Sequence, residues 1–600
     1  MKRIFCILFL SVCLTAGAQQ SDSQLAFNYY QNKEYVKAAE LFLQLYERTK
    51  SAQYLDYHVI SLINAKEYEK AEEVLKKYLK TDGKNRDFLI NLGFIYDQQG
   101  NRKKADDYFE DAFKTLANNR NDIVVLANKF RNIREYGWAI RTYRKGRELL
   151  KNPSEFIIEM GDNYLMDRDF DNMFRLYAEG LESNPGLLNN VTSMLGYSRS
   201  YDVNGNADNV IRNGLQKIFE REAYPPVFDE LGIWYALQTK GYDEAFRHAL
   251  RLNRLQPDKI YTYQNIAQEA FRAKEYETAI RSWQQLLNQE KDNPYYLTAR
   301  REILRSQYAL ERSRPGEPAR FTALAGESEA FLAWNGYTPV NIEILLMLSD
   351  LYAYELNLPD SANRVLEKGI AIRNLDAPRQ NLLKSKRADL LAYMDRTWEA
   401  VILYTQIEKA NPNNDTGYEA KLKKAFLAYY AGDLEWARAQ FDALKGSTTK
   451  LTANDAIRMS HFINMHYDGE EEDPALQELA RTEFLVYRGK TAEAMPKLDS
   501  LTGLSDRPEI SDYAVLIKAN LLQSLFRPEE AEALFEKLRT NSTETFIQAE
   551  ALFRLAGLEA ERGNLPQSLR HYRELVSEYP GSVYSVEAGK RYRELEKEIP

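Results

Sequence analysis

The sequence predicts an all-α protein, an α-solenoid made of helix hairpins wound into a right-handed superhelix, in two segments with an irregular joint. Two recurrences carry this reading. A ruler residue, small in all but one case, falls at Ala38, Ala71, Ala105, Ala139, Met173, Ala207, Ala245 and Ala279, at intervals of 33, 34, 34, 34, 34, 38 and 34. Four places on from each stand Phe42, Leu75, Phe109, Tyr143, Tyr177, Ile211, Ala249 and Trp283. A fixed period of this size marks stacked supersecondary units. A chain of 600 residues would in any case outgrow one compact core.

Phe88–Leu116 shows what one unit is. Leu89, Leu92 and Tyr96 fall at helical spacing with Gly93 beside them, and Gly100-Asn101 supplies the turn. Ala105, Phe109 and Ala112 then line one face of a second helix. Small residues at 93 and 105 let two helix axes approach, and Phe109 is left for a neighbour to cover. One such hairpin cannot bury its own apolar face, so it must repeat. The small-then-aromatic pattern resembles the tetratricopeptide repeat, and the resemblance runs over residues 20–294. An aromatic stands three places before the ruler at Tyr35, Tyr68, Tyr136, Phe170, Tyr242 and Tyr276. Prolines close units at Pro153, Pro185, Pro257 and Pro294. The Ala207 unit departs most, with Asn204-Gly205-Asn206 in place of the aromatic.

In chain order, residues 1–18 read as a signal peptide. Lys2-Arg3 precede the apolar run Ile4–Leu14, and Ala16-Gly17-Ala18 forms a cleavage site before Gln19. The apolar run is too short to span a membrane. Cys6 and Cys13 both lie inside it, so the mature chain has neither disulfide nor Cys–metal chemistry. A lipidated Cys13 is the rival reading, disfavoured by the bulk of Val12 before it. Removal leaves 78 basic against 88 acidic residues. That balance gives no basic stripe for nucleic acid.

An N-terminal solenoid of eight repeats follows over 19–312. Turn chemistry at Ser313–Pro318 and Trp334–Pro339 predicts the irregular joint over 313–340. Six further rulers over 341–600, at Ala362, Ala400, Ala437, Ala494, Ala531 and Ser568, are separated by 38, 37, 57, 37 and 37. The longer step implies helices about one turn longer, or longer loops. The 57-residue interval holds an inserted helix at 452–466 and the acidic turn Asp468–Asp473, and a charged helix at 583–599 caps the array. The stretch 551–595 resembles repeats of periplasmic outer-membrane-assembly lipoproteins and cell-division coordinators. Residues 432–456 resemble a family of exported Bacteroidota repeat proteins with no established activity.

Chemical motifs fail on their surroundings. Gly489-Lys490-Thr491 ends like a phosphate loop, but Phe484 stands at the upstream glycine position. Ser447–Lys450 matches S-x-x-K without its companion motifs. His461 and His466 sit five apart, on different helix faces. Asp202, Asn204 and Asn206 imitate a calcium loop whose required Gly and Glu are Ala207 and Asn213. Asp360-Ser361-Ala362 and Asp499-Ser500-Leu501 resemble O-glycosylation sequons, although Ser361 also suits a helix cap.

The function these features imply is non-catalytic: a cell-envelope scaffold, periplasmic or peripheral to the outer membrane. It would hold a peptide or protein partner in its concave groove, with no cofactor, metal or nucleic acid. First-helix amides at Asn28, Asn91, Asn128, Asn163 and Gln264 are the candidate partner-binding residues, placed to clamp an extended backbone. Asn28, Asn91 and Asn163 are read as sharing one repeat position. The alternative is a subunit of an envelope enzyme or assembly machine, whose hydrolase-type site converges from distant sequence.

Overall fold

The structure, a computed structural model, describes residues 22–80, 84–288, 294–314, 317–446, 450–467 and 473–597. These residues form α-helices joined by short turns, with no strand among them. The expected signal peptide, its two cysteines and most of the acidic turn at 468–473 lie outside the described residues. The chain divides into two compact units, Met1–Ile260 and Tyr261–Pro600. The division falls just after the 3₁₀ turn Pro257–Ile260, ahead of the stretch where the joint was expected.

Each unit is an all-α solenoid of consecutively packed hairpins. In the first, helix 22–31 pairs with Tyr35–Thr49. Ala52–Asn64 then pairs with Tyr68–Leu79, Arg86–Gln98 with Arg102–Phe113, and Arg120–Asn132 with Tyr136–Leu150. Ile157–Met166 with Phe170–Ser183, Leu188–Tyr201 with Asn206–Phe219, and Val227–Gln238 with Tyr242–Leu255 complete the unit. The ruler residues explain themselves: all fourteen, from Ala38 to Ser568, expose no surface. They sit where the two helices of a hairpin meet, and a larger side chain would part the axes. Their partners four places on are buried as well.

Gly93 makes the requirement explicit. A Cβ there would stand 2.3 Å from Cε1 of Phe109, and one at Gly161 would stand 2.2 Å from the Tyr177 hydroxyl. The Phe109 ring is closed in from the next hairpin by Phe130 and Trp138, with ring centres 5.7 and 5.9 Å away.

A second periodicity lies in the turns. In thirteen of the fourteen hairpins the residue five places before the ruler is left-handed, with φ between 53° and 84°. Lys66, Gly100 and Arg134 are typical, and the amide after each returns to the last turn of the first helix. Glu67 N donates to Leu62 O at 2.9 Å, and Asn101 N to Tyr96 O at 2.8 Å. The exception is the Ala207 hairpin, where Gly205 takes the left-handed conformation instead. There the Asp202 carboxylate accepts hydrogen bonds from Ala207 N at 2.8 Å and Asn204 N at 3.4 Å. What resembled a calcium loop is a helix cap.

The second unit uses longer first helices. Ala377–Tyr393, Asp415–Ala431, Pro508–Ser524 and Thr545–Glu561 each have 17 residues, against 13 in Ala52–Asn64, Arg86–Gln98 and Arg120–Asn132. That extra turn of helix accounts for the step of 37. Within the expected joint, Pro318–Asn335 is an 18-residue helix. Its flanking breakers bound it: Pro318 is its first residue, and Gly336 ends it at φ 84°. The helix expected over 452–466 spans Lys450–His466, and the terminal helix is Val583–Glu596. Gly489 is an ordinary left-handed turn residue before the helix Thr491–Leu501.

Candidate functional site

The first helices of four successive hairpins in the unit 1–260 line one cleft of about 840 Å³. Tyr30 comes from helix 22–31, Asp56, Ile60 and Ile63 from Ala52–Asn64, and Ile90, Asn91 and Phe94 from Arg86–Gln98. Lys129 and Asn132 come from Arg120–Asn132. The solenoid places them together because each hairpin repeats the orientation of the last. Ile60 and Phe94, eleven residues before their rulers, face the cleft from one register position in two neighbouring hairpins; Asn128, at the same position in the next, does not line it.

The electrostatics are uneven. Asp87 is ion-paired with Lys129 across neighbouring hairpins. At one end Arg102 binds Glu135 at 2.6 Å and Asp97 at 3.2 Å. Among the described residues Asp56 makes no such ion pair. Burial, and then the nearby Asp87 charge, push its carboxyl above the ordinary aspartate range, and Lys129 only partly opposes this. Asn91 and Asn132 make no side-chain hydrogen bond among the described residues. The cleft therefore offers an apolar floor, amides with unused donors and acceptors, and one carboxylate without a cation. That combination can receive an extended chain, by backbone hydrogen bonds and one basic side chain.

The candidate amides fare differently. Asn91 lines the cleft. Asn28 and Asn128 are exposed, and Gln264, in the other unit, is partly exposed. Asn163 is 2 % exposed, and its amide nitrogen donates to Glu159 O at 2.7 Å. Counted from the rulers, Asn28 and Asn163 lie ten residues back and Asn91 fourteen, so the three do not share one position. The tenth position is packed at Ser61, Ile95 and Asn163, but Asn28 is exposed there and Lys129 lines the cleft from it. Asp56 and Lys129 were not anticipated. The signal available was their register, since Asp56 is fifteen before Ala71, as Gln264 is before Ala279.

A second concavity, of about 610 Å³, lies in the unit 261–600 between Lys450–His466 and the turn Tyr579–Ser582. It brings Asp455, Glu550 and His461 to one place. His461 is exposed and bonded to neither carboxylate, so no acid–base pair is assembled there. Among the described residues no cluster of three or more His, Asp or Glu is arranged to hold a metal ion, and no helix is long and apolar enough to cross a membrane.

Together, fold and cleft define an all-α helical-repeat solenoid with a lined inner face. Residues 550–582 match the family model of the tetratricopeptide repeat. No curated protein matches the chain. Among solved structures, one of Naa15/Naa10 bound to HypK-THB is 14% identical over 96% of both chains, with a TM-score of 0.25. A tetratricopeptide repeat protein from Parabacteroides merdae is 15% identical, over 49% of this chain and 97% of its own, with a TM-score of 0.28. Scores this low carry nothing about function.

Proposed function

We propose that the protein is a non-catalytic interaction scaffold of the cell envelope, and that the cleft of its first four hairpins holds an extended peptide or protein segment. One observation carries the reading. Four consecutive first helices line a single cleft, and among the described residues its Asn91 and Asn132 side chains make no hydrogen bond and its Asp56 carboxylate makes no ion pair. Helical repeats generate such surfaces because each hairpin turns slightly against the last. The tetratricopeptide match at 550–582 supports the same class of function. The envelope location rests on the signal-type residues 1–18, and N-terminal sequencing of the mature protein should begin at Gln19.

The binding test is affinity capture by the full-length protein beside a doubly substituted variant, Asn91→Ala with Asn132→Ala. Both side chains are solvent-accessible, so the variant should melt as the parent does. Loss of the captured partner is expected. Retention of every partner at unchanged yield would remove the cleft from the account.

A further inference from the structure

In a helical-repeat array each hairpin touches only its neighbours, so its curvature is the sum of local contacts. The unit 261–600 departs from this at one place. The hairpins 377–410 and 474–501 are separated in sequence by the hairpin 415–444 and the inserted helix Lys450–His466, yet they bond to each other directly. The Tyr487 hydroxyl donates to Asp389 O at 2.9 Å, across 98 residues of chain. Arg488 Nε donates to Tyr393 O at 3.2 Å, and Arg488 Nη1 pairs with Asp395 at 3.0 Å. The acceptors lie where a helix leaves them, since the last carbonyls of Ala377–Tyr393 have no partner within the helix. The amides of Met394, Arg396 and Asp395 take Leu390 O, Leu391 O and Ala392 O. The Arg488 guanidinium takes the next in line, Tyr393 O, where a cation also meets the negative end of the helix dipole. It lies 5.4 Å from the centre of the Phe484 ring, and only 19% of the side chain is exposed.

The sequence explains the meeting. The inserted helix breaks the alternation of first and second helices, and Pro474–Tyr487 then packs on Asp415–Ala431, with Phe484 stacked on Tyr430 at 5.3 Å. Tyr393, Tyr430 and Tyr487 each stand seven residues before a ruler, Ala400, Ala437 and Ala494. The Tyr430 and Tyr487 ring centres are 6.2 Å apart, and a Cβ at Gly489 would lie 3.3 Å from the Tyr393 hydroxyl. We propose that Tyr487 and Arg488 form a clasp that presets the curvature here, so that the hairpins 377–410, 415–444 and 474–501 bend and open as one block. Two adjacent side chains and three acceptors carry it, few enough to open without unfolding any hairpin. The clasp lies wholly within 261–600 and does not depend on the cleft of the first four hairpins.

The test uses the full chain from Gln19 onward, which contains no cysteine, so that Gln406→Cys and Ser500→Cys carry its only two spin labels. Both residues are exposed, on the second helices Thr397–Ala410 and Thr491–Leu501, toward the ends remote from the turns that hold the clasp. Double electron–electron resonance should give one narrow distance. Tyr487→Phe with Arg488→Met removes the three clasp bonds and keeps the apolar stems, and should shift and broaden that distance. Amide exchange in 415–444, which none of the three bonds touches, should quicken by about tenfold, the order of one lost hydrogen bond to a charged group. Should the double variant fail to fold, Tyr487→Phe alone should show both changes at smaller amplitude. Arg396→Met is the control, because that guanidinium pairs with Glu399 of its own hairpin, and it should change neither readout. An unchanged distance in the folded variant would overturn the inference. So would faster exchange confined to 389–395 and 487–489, or an equal shift in Arg396→Met.

Discussion

Gly93→Ala should destabilise the protein even though alanine is the better helix former. The added methyl would lie 2.3 Å from Phe109 Cε1 and 2.5 Å from Cδ1, where ordinary contact needs at least 3.4 Å. One of the two helices, or the ring, must therefore move by about 1 Å, the difference between those distances. The ring has nowhere to go. It is fully buried, with Phe130 edge-on and Trp138 tilted against it from the next hairpin. Overpacking of this kind costs about 1–3 kcal/mol, offset by up to about 1 kcal/mol of recovered helix propensity. Gly137→Ala is the control: it lies within Tyr136–Leu150, has nothing within 4 Å of the added Cβ, and should stabilise by up to about 1 kcal/mol. Guanidinium unfolding reads the two signs. Amide exchange localises the first, because a solenoid loses stability repeat by repeat, and Arg86–Phe113 should exchange faster than Phe170–Ser183. If both alanines stabilise equally, the close-approach argument is wrong.

Three further outcomes follow from the same contacts. Lys66→Gly and Lys274→Gly replace exposed residues held at φ 62° and 67°. Relief of the left-handed strain should exceed the entropy of glycine and stabilise by up to about 1 kcal/mol each in thermal melts. Asp122 accepts from Arg86 at 2.8 and 3.1 Å and from Ala117 N at 2.8 Å, and the Arg86 contact holds its carboxyl below the ordinary range. Its stabilisation should be complete above about pH 4 and lost as pH falls through the depressed folded value, so Asp122→Asn should cost about 1–2 kcal/mol at pH 7 and little in strong acid. Asp56 is the opposite case. Its folded value is raised, so its charge opposes folding at neutral pH, and this penalty vanishes below about pH 4. Asp56→Asn should therefore raise the melting temperature at pH 7 while weakening capture of a basic partner segment.

The helix pairs were legible because the ruler residue marks the place where two axes touch, and that place tolerates little variation. Ala38 through Ser568 are all read correctly as contact points for this reason. The turns were less legible. Gly100, Gly432, Gly489 and Gly563 announce the left-handed position, and Asn357 and Asp395 suit it; elsewhere it is held by residues such as Lys33, Arg168 or Phe526, which carry no turn signal. At 313–340 the prolines and glycine were visible, but Pro318 begins a helix as readily as it breaks one. In the cleft, Asn91 could be found as a polar residue on a first helix. Asn163 could not be told apart from it, because four residues of register separate a cleft-lining amide from a packed one. Asp56 offered only its register; that it makes no ion pair among the described residues depends on Asp87 taking Lys129.

Site-specific photocrosslinking tests the central claim most directly. A photoreactive residue placed at Asn91, in the cleft, is compared with one at Lys77, an exposed position on the second helix Tyr68–Leu79, in cells making the full-length protein. Mass spectrometry of the Asn91 adduct should map to one contiguous segment of one partner, and the Lys77 probe should give no such adduct. Adducts from Lys77 with none from Asn91, or Asn91 adducts scattered over many unrelated proteins, would contradict it.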